Sequence, residues 1–299
     1  MKNTIFFLSF LLIGLAASAQ GPKVLVITAH PDDESSISVA MFKITKELKG
    51  TVDMAVMTDG AGGFADAQLG AMYYGINLTD SVVARTHIAI IRKQEILNVA
   101  KILGVRNIYF MEQPDDLYST NYEPYLYGKN WDINFIEKRL DKLLAEREYD
   151  FIITMSPRTG QHGHHITSVI MGLRAVERYK GNNKPIIIAG AAKVKTNADP
   201  VLTGIPGIDI SKINTSVPPF RLNRAYRFAE NDKLSYKIVA DWTIAEYKSQ
   251  GAIQENAMHR TDEELYYYYE INPLNGTEKV KKLFEDLSKS GFLPAPTKK

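Results

Sequence analysis

The chain has 299 residues, of which 45% are hydrophobic and 23% are charged, as is usual for a folded globular protein. Its 36 basic and 34 acidic residues leave a net charge of +2, so no strong electrostatic field argues for binding to nucleic acid or to an anionic membrane. Because the chain contains no cysteine, it forms no disulfide, and any metal must be held by nitrogen and oxygen ligands.

The first twenty residues have the pattern of a secretory signal peptide. Lys2 supplies a positive charge, an apolar run extends from Ile5 to Ala16, and Ala17-Ser18-Ala19 has the small residues of a cleavage site. The apolar run is shorter than the about 20 residues that a transmembrane helix needs, and an uncleaved anchor is the alternative interpretation. We predict a bacterial signal peptide over residues 1–19 and a secreted or periplasmic protein without a stable membrane anchor.

Strands and helices alternate through the first 190 residues. Buried strands are predicted at 23–28, 52–57, 105–111, 151–155 and 185–189, and helices at 34–48, 85–103, 133–147 and from 164 or 165 to 179. Residues 64–83 and 112–131 are predicted to be long irregular loops. The alternation predicts a Rossmann-like, three-layer α/β/α fold with a mostly parallel sheet, in which ligands bind at the carboxyl ends of the strands.

The last third of the chain has weaker patterns. Residues 190–230 contain several prolines and turn residues, and they are predicted to form strands and loops. Helices are predicted at 232–250, 261–268 and 278–287. We expect a single domain over residues 20–299, in which an extension of about 191–299 packs on a core of about 23–190.

Two histidine-containing segments follow strands of the predicted sheet. Ala29-His30-Pro31-Asp32-Asp33-Glu34 lies where the first strand passes into the first helix, and Gln161-His162-Gly163-His164-His165 follows the fourth strand. Proline and acidic residues are common at a helix start, which explains at most Pro31 and Glu34. A histidine-rich segment taken alone is more often a solvated loop than a ligand set. Two such segments at one sheet edge instead indicate a metal site, because zinc accepts histidine and carboxylate ligands.

These segments resemble the PIG-L (LmbE-like) family of N-acetylglucosaminyl deacetylases. The resemblance lies in His30-Pro31-Asp32-Asp33-Glu34 and in the later His-x-x-His. It extends to Thr58-Asp59-Gly60, Arg92-x-x-Glu95, Leu103-Gly104-Val105 and Ser249-Gln250, and so runs from about residue 23 to about residue 250.

The resemblance implies roles for individual residues. The zinc ligands would be His30, Asp33 and His165. Asp32 would be the general base, and His162 would stabilise the oxyanion or protonate the leaving amine. Substrate hydroxyls would be held near Arg92 and near Asp115 or Asp116.

The chain departs from the family pattern at two positions. His164 stands where the family usually has aspartate, which leaves open whether His164 or His165 binds the metal, although the spacing favours His165. Tyr247 replaces a histidine that is common two residues before the Ser-Gln pair.

The implied activity is hydrolysis of an acyl group, most simply acetyl, from an N-acetylated amino sugar or glycan. Zinc lowers the pKa of a bound water to about 7 and polarises the amide carbonyl, so that the water can attack. Two alternatives are a metallo-amidase or esterase for a non-sugar substrate and a catalytically silent glycan-binding protein on the same scaffold. The ligand types also suit iron or manganese, and the sequence leaves the oligomeric state open. Candidates to line a glycan cleft are Tyr118, Tyr122, Tyr125 and Tyr127.

Overall fold

The computed structural model describes residues 21–116, 118–193, 198–228, 233–258 and 262–289. The predicted signal peptide, residues 1–19, lies outside this part of the chain. Among the described residues we find no helix that combines the length and the apolar character needed to span a bilayer.

The centre of the fold is a mostly parallel sheet, as predicted. Within the described residues seven strands form this sheet: β1 (Lys23–Thr28), β2 (Thr51–Thr58), β3 (Asn107–Gln113), β4 (Phe151–Met155), β5 (Ile186–Ala192), β6 (Phe220–Asn223) and β9 (Glu263–Tyr268). They lie in the order β3-β2-β1-β4-β5-β9-β6. The first five strands pair in parallel, whereas β9 is antiparallel to both β5 and β6. A separate two-stranded ribbon consists of β7 (Arg227–Phe228) and β8 (Leu234–Ser235).

Helices cover both faces of the sheet. The described helices are α1 (Ser38–Phe42), α2 (Gln68–Tyr74), α3 (Ser81–Leu103), α4 (Glu123–Leu126), α5 (Ile133–Arg147), α6 (Gly163–Arg178), α7 (Lys237–Ala245), α8 (Gly251–Met258) and α9 (Gly276–Ser288). Alternate residues of β1 face opposite layers: Val24 and Val26 pack with α1, α3, α7 and α9, and Leu25 and Ile27 pack with α5 and α6. This two-residue period is that of a strand buried on both faces. The fold is the predicted α/β/α architecture.

The helix predicted over 34–48 is divided into three short pieces. A 3₁₀ turn at Asp33–Ile37 leads into α1, and a π-helical turn follows at Lys43–Glu47. The apolar period is present, but the backbone changes pitch twice within it. The segments predicted as irregular loops also contain helices, namely α2 with a 3₁₀ turn at Ala61–Asp66 in the first and α4 in the second. The helix predicted at 232–250 is shorter in the structure, because α7 ends at Ala245, and a second helix, α8, begins only at Gly251, beyond the predicted end.

The helix predicted at 261–268 is wrong, because Glu263–Tyr268 is the strand β9. The tyrosines of β9 and the one that follows it alternate between the two layers: Tyr266 and Tyr268 lie in one core, and Tyr267 and Tyr269 lie in the other. All four are at most 5% exposed. Consecutive aromatic residues suit a strand whose two faces are both buried, and this packing overrides the local helical interpretation.

Candidate metal site and active centre

The histidine-containing segments meet at the carboxyl edge of the sheet. His30 follows β1, and His162 directly precedes α6, which follows the neighbouring strand β4. Asp115 comes from the segment after β3. The parallel pairing of the strands therefore places these side chains at one edge, as the sequence predicts for a ligand site.

Three of the predicted ligands surround a common point. His30 Nδ1 lies 3.1 Å from His165 Nε2 and 3.5 Å from Asp33 Oδ2. Asp33 Oδ1 lies 3.3 Å from His165 Nε2. Zinc bonds of about 2.0–2.2 Å at tetrahedral angles separate ligand atoms by about 3.3–3.6 Å. The His30, Asp33 and His165 side chains thus fit one zinc-sized cation, and these three residues form a group able to hold a metal.

The backbone fixes Asp33 within this group. Its Oδ2 accepts hydrogen bonds from the N–H groups of Ala29, at 3.0 Å, and His30, at 2.7 Å. Burial alone would raise the pKa of Asp33, but His165 and His30 hold it well below its usual range. The carboxylate is therefore ionised, as a metal ligand must be.

His164 lies on the other side of the His30 ring. Its Nδ1 is 3.0 Å from His30 Nε2 and 3.4 Å from Asp115 Oδ1. The ring is buried between Tyr125 and Trp131, at centroid distances of 4.2 and 5.1 Å. It is His165 whose nitrogen lies beside Asp33, whereas His164 lies beside Asp115. The nitrogens of His30, His162 and His164 nevertheless form a second close group, which shares His30 with the first.

Asp115 supports His30 from behind. Asp115 Oδ1 lies 3.6 Å from His30 Nε2, so the ring nitrogen that faces away from Asp33 faces a carboxylate. Such a carboxylate, together with His164 Nδ1 at 3.0 Å from the same nitrogen, orients the ring of a metal-binding histidine. Burial would lower the pKa of His30, but Asp115 and Asp33 outweigh it and raise the pKa to about 10.

Asp32 occupies a strained position beside the ligand group. Its backbone φ is 125°, a conformation that side chains other than glycine rarely adopt and that clusters at functional sites. Its Oδ2 accepts a hydrogen bond of 2.8 Å from Arg92 Nη2. Burial raises the pKa of Asp32 to about 7, although the nearby guanidinium of Arg92 opposes this rise. The carboxyl group can therefore gain or lose a proton near neutral pH.

Arg92 is buried and holds the loops around Asp32. It donates to the carbonyl oxygens of Pro31 and Gly60 as well as to Asp32. Gly60 has a φ of 78°, which points its carbonyl at the guanidinium in a conformation that favours glycine. The sequence places Arg92 near substrate hydroxyls, but in the structure these donors are occupied by protein oxygens.

Charge balance favours one divalent cation. With Asp32 ionised and the histidines neutral, as metal ligands must be, Asp32, Asp33 and Asp115 carry three negative charges against the one positive charge of Arg92. Asp33 and Asp115 are ionised, because the pKa of each carboxyl group is lowered. Burial alone would raise the pKa of Asp115, but the charge of His30 lowers it more than any other neighbour does. The two remaining negative charges would be balanced by one divalent cation, since buried charges require partners.

The ring of His162 lies between the buried ring of His30 and the exposed ring of Tyr118. This ring stacks on His30 at 5.0 Å and on Tyr118 at 4.9 Å. Within the described residues its buried Nε2 has no hydrogen-bond partner. Burial and the neighbouring His30 lower the pKa of His162 to about 3, so the ring is neutral.

The side chain of Asp116 does not take part in the histidine group but binds a neighbouring loop. Its Oδ2 accepts a hydrogen bond of 2.8 Å from Asn130, on the loop before α5. Of the two aspartates considered from the sequence, Asp115 therefore faces the histidines and Asp116 is tied to the neighbouring loop.

Several buried residues around the site are absent from the sequence-based assignment. Glu34 accepts hydrogen bonds from the Asp32 N–H and the Tyr247 hydroxyl, and Glu95 accepts from Ser249 and Tyr74. Glu34, Glu95 and Ser249 belong to the segments that resemble the PIG-L family, and this membership could have marked them as residues of the site. Two further residues, Arg224 and Glu264, carried no sequence signal at all.

The model of a family described as GlcNAc-PI de-N-acetylase, PIG-L, matches residues 25–176, just over half of the chain, and includes both histidine segments. The chain belongs to the PIG-L family. A probable N-acetyl-alpha-D-glucosaminyl L-malate deacetylase 2 of Bacillus cereus is 27% identical over 180 residues, which cover 60% of this chain and 71% of the relative. A relative of the same name from Bacillus subtilis matches at the same identity and coverage.

Solved structures agree on the fold. The A40926 pseudoaglycone deacetylase Dbv21 is 10% identical, with a TM-score of 0.52 over 84% of this chain and 97% of that one. The 4-carboxy-2-hydroxymuconate hydratase GalB of Pseudomonas putida is 15% identical, with a TM-score of 0.50 over 85% of this chain and 98% of that one. One fold thus supports both a deacetylase and a hydratase, so function has to be argued from the site.

Proposed function

We propose that this PIG-L protein is a zinc-dependent hydrolase that removes an acetyl group from an N-acetylated amino sugar or glycan. The observation that carries the proposal is the group of His30, Asp33 and His165, whose ligand atoms lie 3.1–3.5 Å apart with Asp32 beside them. The family description and the names of the Bacillus relatives support the same reaction.

Zinc would be held by His30 Nδ1, Asp33 and His165 Nε2. When bound, it supplies a water with a pKa of about 7 and polarises the carbonyl of the scissile amide. Histidine and carboxylate ligands also suit iron or manganese, so the metal is part of the test.

Asp32 is the proposed general base. A base acts best when its pKa lies near the working pH, and the pKa of Asp32 is raised by burial to about 7. Arg92 and the bond from the Asp32 N–H to Glu34 hold the residue in its strained conformation. Asp32 would accept the proton of the attacking water and then deliver it to the leaving amine.

His162 is the proposed partner of the oxyanion. Because its pKa is lowered to about 3, mainly by burial, the ring is neutral at the working pH and is a poor source of a proton. A neutral imidazole still has one N–H, and its buried Nε2 lacks a partner within the described residues. We therefore assign His162 a hydrogen bond to the developing oxyanion and leave proton delivery to Asp32.

Tyr118 supports a sugar substrate. One face of its ring stacks on His162, while the side chain is 71% exposed. A second aromatic face is therefore open at the mouth of the site. Aromatic rings pack well against the apolar C–H face of a pyranose, and aromatic side chains commonly line ligand sites. Of the other candidate tyrosines, Tyr125 is buried against His164 and cannot line an open cleft.

The test is acetate release from a panel of N-acetylated amino sugars, their oligomers, a non-sugar N-acetyl amine and an acetate ester. The protein is assayed as purified, after chelation, and after restoration with Zn²⁺, Mn²⁺ or Fe²⁺. Chelator-sensitive release from a sugar, restored best by zinc, supports the proposal. Release from the ester or the non-sugar amide alone would reassign the substrate class. Bound metal without release would contradict deacetylation, and the absence of any metal binding would favour the glycan-binding alternative.

We also propose that the protein acts outside the cytoplasm. Support comes from the signal-peptide pattern of residues 1–19, which lie outside the described part of the chain. Expression of the whole sequence in a bacterium should give a protein outside the cytoplasm that begins at Gln20, as read by N-terminal sequencing. A cytoplasmic product that begins at Met1 would contradict this location.

A further inference from the structure

A buried carboxylate of the C-terminal strand reaches the segment that follows the metal site. Glu264, on β9, has no exposed surface. Its Oε1 accepts a hydrogen bond of 3.0 Å from the Val39 N–H, and its Oε2 accepts one of 3.1 Å from the Ala40 N–H. These two N–H groups lie in the first turn of α1, whose own N-cap residue, Ile37, makes no side-chain hydrogen bond to them. Glu264 thus caps α1 from 225 residues away.

Arg224 links Glu264 to the 3₁₀ turn that precedes α1. It is 3% exposed, and its Nε donates a hydrogen bond of 2.9 Å to Glu264 Oε1. Its Nη2 donates to the carbonyl oxygens of Ser35, at 3.0 Å, and Ser36, at 2.6 Å. Arg224 therefore binds the carbonyls of the 3₁₀ turn while Glu264 binds the N–H groups of the helix that follows.

The segment between these contacts and the metal site is short. The 3₁₀ turn begins at Asp33, a proposed zinc ligand, and Asp32, the proposed base, directly precedes it. Since a 3₁₀ turn has weaker hydrogen-bond geometry than an α-helix, its pitch depends on outside contacts. The guanidinium of Arg224 and the carboxylate of Glu264 bind backbone groups of residues 35–40, where the 3₁₀ turn passes into α1. These contacts lie within a few residues of Asp32 and Asp33.

We propose that Arg224 and Glu264 are positioning residues of the metal site, which set the place of Asp33 and Asp32 by fixing the turn that follows them. The proposal rests on the proposed metal site. Both residues lie outside the segment 25–176 that matches the family model, so their part in the site comes from the structure alone. Residues that orient metal ligands without touching the metal typically change metal affinity 10–100-fold when they are substituted.

A matched control exists at the opposite end of the sheet. Asp53 is also fully buried, and it accepts hydrogen bonds from Arg106, Asn107 and Tyr149. It lies near the start of β2, whereas the metal site lies at the carboxyl ends of the strands. Glu264 likewise has several donors, the fourth being the Tyr266 hydroxyl at 2.6 Å. Substitution by the corresponding amide places an N–H₂ group against donors in both cases and should destabilise both variants.

The experiment compares Glu264→Gln with Asp53→Asn in the full mature chain. The zinc dissociation constant is measured by competition with a chromophoric chelator, and stability by urea unfolding. We expect both variants to unfold at lower urea, but only Glu264→Gln to bind zinc about tenfold or more weakly. With saturating zinc, its kcat should fall while its KM stays near that of the wild type, because the turn positions Asp32 and not the substrate.

Equal zinc affinity in Glu264→Gln and the wild type would overturn the proposal, as would an equal loss in Asp53→Asn. If Glu264→Gln does not fold, Arg224→Lys takes its place, because lysine keeps the charge but cannot bind Glu264 and both carbonyls with one fork. The same rise in dissociation constant is expected, and wild-type affinity in this variant would likewise overturn the proposal. A wild-type protein that binds zinc but releases no acetate would contradict the proposed function and leave the positioning result unaffected.

Discussion

The hydroxyl of Tyr247 donates a hydrogen bond of 2.6 Å to Oε1 of Glu34. Both residues are fully buried, and the second oxygen of Glu34 accepts the N–H of Asp32 at 3.2 Å. Burial raises the pKa of Glu34 to about 8, against the effect of the Tyr247 hydrogen bond. The residue that replaces a common family histidine is thus linked, through one carboxyl group, to the backbone of the proposed base.

Replacement of Tyr247 by phenylalanine should destabilise the protein by about 1–3 kcal/mol, since it leaves a buried oxygen of Glu34 without this donor. Urea unfolding would measure the loss. Tyr127→Phe is the control, because Tyr127 is 70% exposed. Equal unfolding midpoints for Tyr247→Phe and the wild type would show that the hydrogen bond contributes nothing.

Asp32→Asn should keep the metal and lose most of the turnover. The amide cannot accept the proton of the attacking water, and general-base catalysis is worth about 10²–10⁴-fold in rate. Zinc content and acetate release would be measured on the same preparation. A near-normal rate would refute the assignment of Asp32 as the base, and loss of zinc would instead make it a ligand.

His165→Ala should abolish tight zinc binding, because it removes one of the three side chains around the common point. Metal content after dialysis, determined by mass spectrometry, is the readout. His87→Ala removes an exposed histidine on α3 and should retain zinc. If His165→Ala keeps its zinc and His164→Ala loses it, the ligand is His164.

Tyr118→Ala should raise KM for an N-acetylated sugar about tenfold, with unchanged zinc content and a smaller effect on kcat. The expected cause is loss of the open aromatic face that is stacked on His162. Tyr73→Ala is the matched control, because Tyr73 is 63% exposed and its ring contacts Tyr74 and, within the described part of the chain, no histidine. Unchanged steady-state kinetics in Tyr118→Ala would remove the main support for a sugar subsite at this place.

Asp53 should stabilise the protein in a pH-dependent way. Burial would raise its pKa, but hydrogen bonds from Arg106, Tyr149 and Asn107 lower it below the ordinary value of 3.8. A lowered pKa in the folded state gives stability that is present above the unfolded value and is lost as the pH falls through the folded one. The difference in unfolding free energy between the wild type and Asp53→Asn should therefore be constant near neutral pH and shrink below about pH 4. A difference that grows on acidification would contradict this.

The sequence predicts the parallel half of the fold well for a physical reason. Buried parallel strands are continuous apolar runs, and the helices between them carry clear stop signals such as Gly104. The proposed metal ligands are predicted from the same pattern, because the carboxyl ends of the parallel strands that precede them lie at one edge of the sheet. The family resemblance, now confirmed by the family match, gives them roles that local patterns cannot, and those roles stay predictions until they are tested.

What the sequence misses depends on contacts between distant segments. The strand β9 lies between β5 and β6, and its three tyrosines and the adjoining Tyr269 are buried by layers that local propensity does not describe. The contacts of Arg92 with the carbonyl oxygens of Pro31 and Gly60 depend on the shape of two other segments, and its predicted place near substrate hydroxyls stays a prediction. Arg224 and Glu264 belong to no motif, so the sequence offers no reason to select them.

The position of β9 also sets an order of events during synthesis. Glu264 caps a helix that left the ribosome 225 residues earlier, and the sheet is incomplete until β9 pairs between β5 and β6. Contacts of such long sequence separation form late and slow the folding of a chain. If Glu264 positions Asp32 and Asp33 as proposed, these two residues reach their final positions only after β9 has been synthesised and has paired. A nascent chain should not bind zinc with mature affinity, and hydrolytic activity should begin when the last strand is in place.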